Sequence, residues 1–216
     1  MIQKYLFGIA AGLLLLVFVI ATLVHNTEKG ERLDDMVTQN RSALVRDHSP
    51  TLGAVDARVH IVEFLDPACE TCRAFYPFVK ELMAAAPGRI RVIVRYAPFH
   101  DGSEQLVKML HAAKLQGKFW ETLEVMFASQ PNWAAHHNPQ PELVWNYLDG
   151  IGLDIAKLKA DMASPAVAAA VRQDLDDARA LNVTKTPEFF VNGRPMPSFG
   201  YEQLQQLVQE ELSTAY

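Results

Sequence analysis

An α/β sheet carrying a helical insertion, behind a membrane-spanning N-terminal helix, is the architecture this chain specifies. Residues 5–24 form an apolar run without a single charge. Val59–Leu65 and Ile90–Tyr96 are β-branched stretches on either side of a helical pattern, as in a β-α-β unit. Helical periodicity over about 103–162 then separates that unit from a capped helix and an Asn-Gly hairpin.

The elements follow in order. An α-helix rises about 1.5 Å per residue, so the run 5–24 matches a hydrocarbon core of about 30 Å. Lys4 precedes it, and Glu28, Glu31, Asp34 and Asp35 follow it, which favours an inside N-terminus and an exported body. The run is longer than the apolar region of a signal peptide, and the sites near Ala21 and Thr22 fit cleavage poorly. An uncleaved anchor over 1–26 is therefore favoured over a cleaved signal. Residues 27–50 are polar and read as a stalk, broken by His48-Ser49-Pro50, with the body beginning at Thr51 and running to 216.

Within the body, Val59–Leu65 is a buried strand, 69–86 a helix closed by Pro87-Gly88, and Ile90–Tyr96 a second strand. Leu106, Met109 and Leu110 share one helical face in the block that follows, as do Phe119, Leu123, Met126 and Phe127. Trp120, Trp133 and Trp145 in that block read as core or rim aromatics. Ser164-Pro165 is an N-cap with proline at the first helical position, and Asn182 is placed to end that helix left-handed. Phe189-Phe190-Val191, the turn Asn192-Gly193 and 194–196 make a hairpin, and 201–213 a closing amphipathic helix.

Composition narrows the functions. Half of the 216 residues are hydrophobic, which excludes a disordered chain. A net charge of −5 without a basic block gives no reason to expect nucleic-acid binding. Two cysteines are too few for a disulfide-stapled scaffold.

Both cysteines sit in Cys69-Glu70-Thr71-Cys72, where a strand hands over to a helix. That spacing puts them on neighbouring positions of one helix face, within bridging distance. Cys69 falls at the helix tip, where unpaired N–H groups and the helix dipole favour a thiolate. Cys72 shares a stripe with Phe75, Val79 and Leu82 and should be recessed. A reachable thiolate beside a protected second thiol suits dithiol exchange. A structural disulfide across so short a loop restrains little, and inert buried thiols leave the placement unexplained. A zinc site lacks further cysteines, and His136-His137 is distant in sequence; no metal or organic cofactor is required.

Glu63 is an acid within an apolar strand, six residues before Cys69. It reads either as a solvent-facing strand-end acid or as a proton acceptor for Cys72. Pro77 should kink the cysteine helix. Thr186-Pro187 precedes the hairpin, and most X–Pro bonds are trans.

The segment 59–64 followed by Cys69 to Cys72 resembles the start of DsbA-type thiol–disulfide oxidoreductases of the thioredoxin superfamily. Pro77 matches the kink proline and Glu63 the buried acid of that superfamily. The stretch 154–193, with Thr186-Pro187, resembles its helix, cis-proline loop and hairpin, and 103–162 its inserted helical domain. The resemblance, over 51–213, implies a thioredoxin fold, a cis bond before Pro187, and Thr186 offering backbone to a substrate peptide. It implies Cys69 as nucleophile, Cys72 as resolving thiol and Glu63 as proton relay. The partners implied are cysteine-containing exported proteins and a membrane redox partner, at a bacterial inner membrane with the body in the periplasm.

The chain departs from the family at three places. Glu70 and Thr71 stand where DsbA has Pro-His and thioredoxin Gly-Pro. A carboxylate there disfavours the thiolate, so the expected nucleophile is less acidic than in DsbA and the couple less oxidising. Lys185 replaces a usual glycine and offsets Glu70 if its ammonium reaches the sulfur, or is simply a solvated loop lysine. Glu188 replaces a usual Thr or Ser. A dithiol oxidase is the preferred role, with a reductase or isomerase, and a non-catalytic metal-binding module, as alternatives.

Overall fold

The computed structural model describes residues 43–135 and 138–216, together with Leu15, Leu16, Phe18, Ile20 and Thr22. These last five are helical, and Thr22 Oγ1 donates to the Phe18 carbonyl at 3.0 Å. Among the described residues no helix is long and apolar enough to cross a membrane. The rest of the anchor expected over 1–26, the stalk up to residue 42, and His136-His137 lie outside the described residues.

Five strands form one sheet: β1 (Thr51–Gly53), β2 (Val59–Leu65), β3 (Ile90–Tyr96), β4 (Glu188–Val191) and β5 (Arg194–Pro195), in the order β1-β3-β2-β4-β5. β2 and β3 run parallel, joined by α1 (Glu70–Ala85); the other pairings are antiparallel. Between β3 and β4 come α2 (Ser103–Leu115), α3 (Phe119–Trp133), a 3-10 turn (Pro141–Tyr147), α4 (Ile155–Met162) and α5 (Pro165–Ala180). The chain closes with α6 (Tyr201–Ala215).

The local signals act as expected. Ser164 Oγ accepts from the Val167 amide at 3.3 Å with Pro165 first in α5, and Asn182 beyond its end has φ 55°. Asn192 and Gly193 turn the hairpin at φ 49° and 89°. β1, absent from the sequence reading, is a short edge strand; Gly53 ends it at φ 105°, where a Cβ would sit 2.5 Å from the Ile90 carbonyl oxygen.

Period-two alternation splits the sheet into two faces. Val59 and Ile61 of β2, Ile90 and Val92 of β3, and Phe189 of β4 pack under Phe75 and Val79 of α1 and Leu204 of α6. Leu65, Val94 and Tyr96 continue that face into the helical insert, against Leu106, Leu110 and Trp133. On the opposite face, Val62, Phe64, Ile93 and Phe190 pack against Ala178 and Val183.

Leu44 joins this second core, so residues 43–50 pack on the body instead of closing a stalk. Their polar side chains are partners of buried charges. Arg95 of β3, fully buried, donates to Asp174 at 2.7 Å and Asp177 at 2.5 Å, both on α5, and to the Ala43 carbonyl. Arg46 completes Asp177 at 2.6 Å, and His48 Nε2 lies 2.5 Å from Asp174 Oδ1. Each carboxylate thus meets more than one donor, the condition for burying such charges.

Candidate active site

α1 starts at Glu70, and Cys69 is its N-cap residue, with φ −74° and ψ 118°. An N-cap side chain accepts from the orphan amides of the first turn. Here that acceptor is sulfur: Cys69 Sγ receives the Cys72 amide at 3.4 Å. Cys69 is 6% exposed and Cys72 fully buried, and both are free thiols. The recessed position expected of Cys72 is present, while Cys69 shows only an edge.

Across from the helix tip, the Thr186–Pro187 bond is cis, and the Thr186 carbonyl accepts from Cys69 Sγ at 3.2 Å. The structure therefore brings Cys69, Cys72, Thr186 and Pro187 together from segments more than a hundred residues apart. Glu63 lies on the inner face of β2, opposite Val94 on one side and Phe189 on the other. It is 2% exposed, and its Oε1 has no hydrogen-bond partner, so it is not a solvent-facing strand-end acid. A small cavity beside it is lined also by Tyr76, Lys80, Val94 and Trp120.

The electrostatics separate the two sulfurs. The Cys69 thiol is lowered to about 6, most of all by the Cys72 side chain donating to it. Burial opposes this, while the Thr186 side chain and the amides of Cys72 and Thr71 assist it. Burial pushes the Cys72 thiol well up, and the charges of Glu63 and Cys69 push the same way. Burial raises Glu63 to about 8, with a further push from Cys69.

The expected tuning residues behave differently. Thr71 contributes through its amide. Glu70 is exposed and is not among the influences on Cys69. Lys185 is exposed too; its ammonium sits 5.4 Å from the Phe199 ring centroid and acts on Glu188, and it is not among the leading influences on Cys69. Backbone and the partner thiol, more than neighbouring side-chain charges, set the sulfur's acidity.

Two residues that the sequence reading did not single out shape the site. Asp66, fully buried just past β2, accepts from the Ala68 amide at 2.9 Å through Oδ1. Its Oδ2 accepts from the Phe99 and His100 amides at 2.8 and 2.9 Å, and its carbonyl from the Cys69 amide at 3.0 Å. Gln130 reaches from α3 to the carbonyls of Pro67 and Cys69, at 2.8 and 3.1 Å. An acid directly after an apolar strand was a usable signal for Asp66; a lone glutamine on a helix gives none. Among the described residues no group of three or more His, Cys, Asp or Glu side chains is placed to hold a metal ion.

Comparison with known proteins places this geometry. A family model described as thioredoxin matches residues 46–210. A thioredoxin-like oxidoreductase from Silicibacter pomeroyi DSS-3 superposes with a TM-score of 0.68 at 28% identity, covering 81% of this chain and 96% of that one. The thiol-disulfide exchange protein alpha-DsbA2 from Wolbachia pipientis shares the fold at 20% identity, with a TM-score of 0.68 and coverage of 85% and 97%. Among curated proteins, the Na(+)/H(+) antiporter NhaA of Herminiimonas arsenicoxydans is 34% identical over 142 residues, 66% of this chain and 22% of that protein. The chain thus spans about a fifth of the length of the curated relatives it matches.

Proposed function

The chain belongs to the thioredoxin family, and we propose that it is a protein thiol–disulfide oxidoreductase working chiefly as a dithiol oxidase. The observation that carries this is the asymmetry of the pair: Cys69 caps a helix and is lowered to about 6, while Cys72 is fully buried and raised. The likeness to the thioredoxin-like oxidoreductase from Silicibacter pomeroyi supports the oxidoreductase part of this reading.

In the oxidising direction a client thiolate attacks Sγ of Cys69 in the Cys69–Cys72 disulfide. The S–S bond breaks, a mixed disulfide forms, and Cys72 leaves as a thiolate. Glu63, raised to about 8, carries a proton at neutral pH and supplies it to Cys72. A second client thiolate then attacks the client sulfur of the mixed disulfide and expels Cys69, whose low pKa makes it a good leaving group. Two electrons have passed from the client to the pair, and a membrane redox partner removes them. The resolving step in reverse needs Glu63 as acceptor, the role its position first suggested.

Client docking uses the loop that presents Thr186. An extended peptide pairs with its backbone beside Pro187, as in short β-augmentation. Phe199 and Tyr201, both half exposed, pack on Phe75, Tyr201 stacked and Phe199 tilted, and give that approach an apolar rim. The uncharged run 5–24 supports a membrane anchor and an exported body facing the periplasm, where clients carry cysteines to be paired.

The test uses the purified, reduced chain and a client that carries a disulfide, so that the Cys69 thiolate can attack one client sulfur and expel the other as a thiolate. Cys72→Ser is expected to accumulate mixed disulfides through Cys69, and Cys69→Ser none. Absence of adducts from both variants would remove the exchange reading. Stoichiometric zinc or copper released on thiol modification, without turnover, would favour the metal-binding module.

A further inference from the structure

Gln130 is 1% exposed, lies on α3 in the helical insert, and spends its whole amide on the segment around the nucleophile. Its Oε1 accepts from Arg73 Nε at 2.7 Å. Its Nε2 donates to the Pro67 carbonyl at 2.8 Å and the Cys69 carbonyl at 3.1 Å. A guanidinium only donates and a carbonyl only accepts, so the amide has one possible orientation here. Glutamate would accept from Arg73 but press negative oxygens on two carbonyls. Methionine would fill the volume and satisfy neither side, and asparagine is one methylene short.

We propose that Gln130 is a positioning residue through which the helical insert sets the acidity of Cys69, a role that rests on Cys69 being the exchanging thiol. The two carbonyls it holds bracket Cys69 along the chain. The Asp66 carbonyl holds the Cys69 amide between them at 3.0 Å. With three successive peptide planes fixed, Cys69 stays at φ −74° and ψ 118°, the conformation that aims the Cys72 amide at its sulfur. Without the Gln130 donors, two buried carbonyls lose a partner and the cap loosens; a thiolate then meets fewer aligned N–H groups. The insert is thereby part of the redox machinery and not only a cover over it.

The experiment is a titration of the thiolate absorbance of the reduced full-length chain for wild type, Gln130→Met, Gln130→Glu and Arg73→Met. Gln130→Met is expected to raise the Cys69 midpoint by about one pH unit, a tenfold loss of thiolate on the acid side. Gln130→Glu is expected to raise it at least as far, because it loses the donors and adds a charge. Arg73→Met keeps both donors and is expected to stay nearer wild type than either. If Gln130→Met does not fold, Gln130→Asn carries the same expectation. Wild-type midpoints in all Gln130 variants, or an Arg73→Met shift as large as that of Gln130→Met, would overturn the coupling. A wild-type midpoint in the ordinary thiol range would instead overturn the exchange reading beneath it.

Discussion

The amide of Cys72 points at Sγ of Cys69 across 3.4 Å, so one cysteine holds the charge of the other. The Cys72 side chain is also the largest single influence lowering Cys69. The two sulfurs are therefore tuned as a pair, and removing one retunes the other.

The first prediction follows directly. Alkylation of the reduced chain should rise with pH through a midpoint of about 6, and in Cys72→Ala that midpoint should move up toward the ordinary thiol value of 9.0. The sign carries into the couple. A depressed folded pKa stabilises the reduced state above the unfolded pKa, and this stabilisation is lost as pH falls through about 6. The potential should accordingly fall by about 59 mV per pH unit below that point, where two protons accompany two electrons, and by about 30 mV above it. A single slope across pH 5 to 8 would contradict the assignment.

Glu63 gives the opposite sign. Its folded pKa of about 8 lies above the value of 4.5 of a free carboxyl, so its ionisation is penalised only in the folded state. The oxidised protein, in which Cys69 carries no charge and burial alone holds Glu63 up, should lose stability as pH rises from 4.5 toward 8. Glu63→Gln should remove that loss and be more stable above pH 8, by at most about 5 kcal/mol. It should also slow exchange about tenfold to a hundredfold. Urea midpoints at pH 5 and 8.5, with exchange rates at neutral pH, check both; parallel curves for the two proteins would count against a buried, protonated Glu63.

Arg95 concerns the frame that carries the site. Arg95→Met leaves Asp174 and Asp177 buried with fewer partners and should cost about 3–5 kcal/mol in urea unfolding. Arg46→Ala removes only the outer donor of Asp177 and should cost about 1 kcal/mol. Equal losses would mean that the buried arginine does not anchor the cluster.

Glu70 and Lys185 supply a contrast. Glu70→Gln and Lys185→Met should each leave the Cys69 midpoint within a few tenths of a pH unit of wild type, because neither charge is among the leading influences on that sulfur. A large shift in either would restore the reading in which side-chain charges tune the nucleophile.

What could be read from the sequence was local. The parallel strand pair, the Ser164 cap, the left-handed Asn182 and the Asn192-Gly193 turn each depend on a few adjacent residues, and all are present. Glu63 was legible because an acid among Val62 and Phe64 has to be explained. The same logic applies to Arg95, between Val94 and Tyr96, whose partners lie 79 and 82 residues away. Residues 43–50 read as solvated because Arg46 and His48 are polar, yet both answer buried carboxylates on α5. β1 is three residues long and shows no alternation to detect. Gln130 acts on backbone carbonyls, which no side-chain pattern reveals.

The reduction potential of the purified chain, equilibrated against a series of glutathione buffers, tests the central claim most directly. A nucleophile near 6 lies between the roughly 3.5 of DsbA and the roughly 7 of thioredoxin. The Cys69–Cys72 couple should accordingly fall between about −120 mV and −270 mV, the values of those two proteins. A potential at or below that of thioredoxin, or a pair that never oxidises, would contradict a dithiol oxidase.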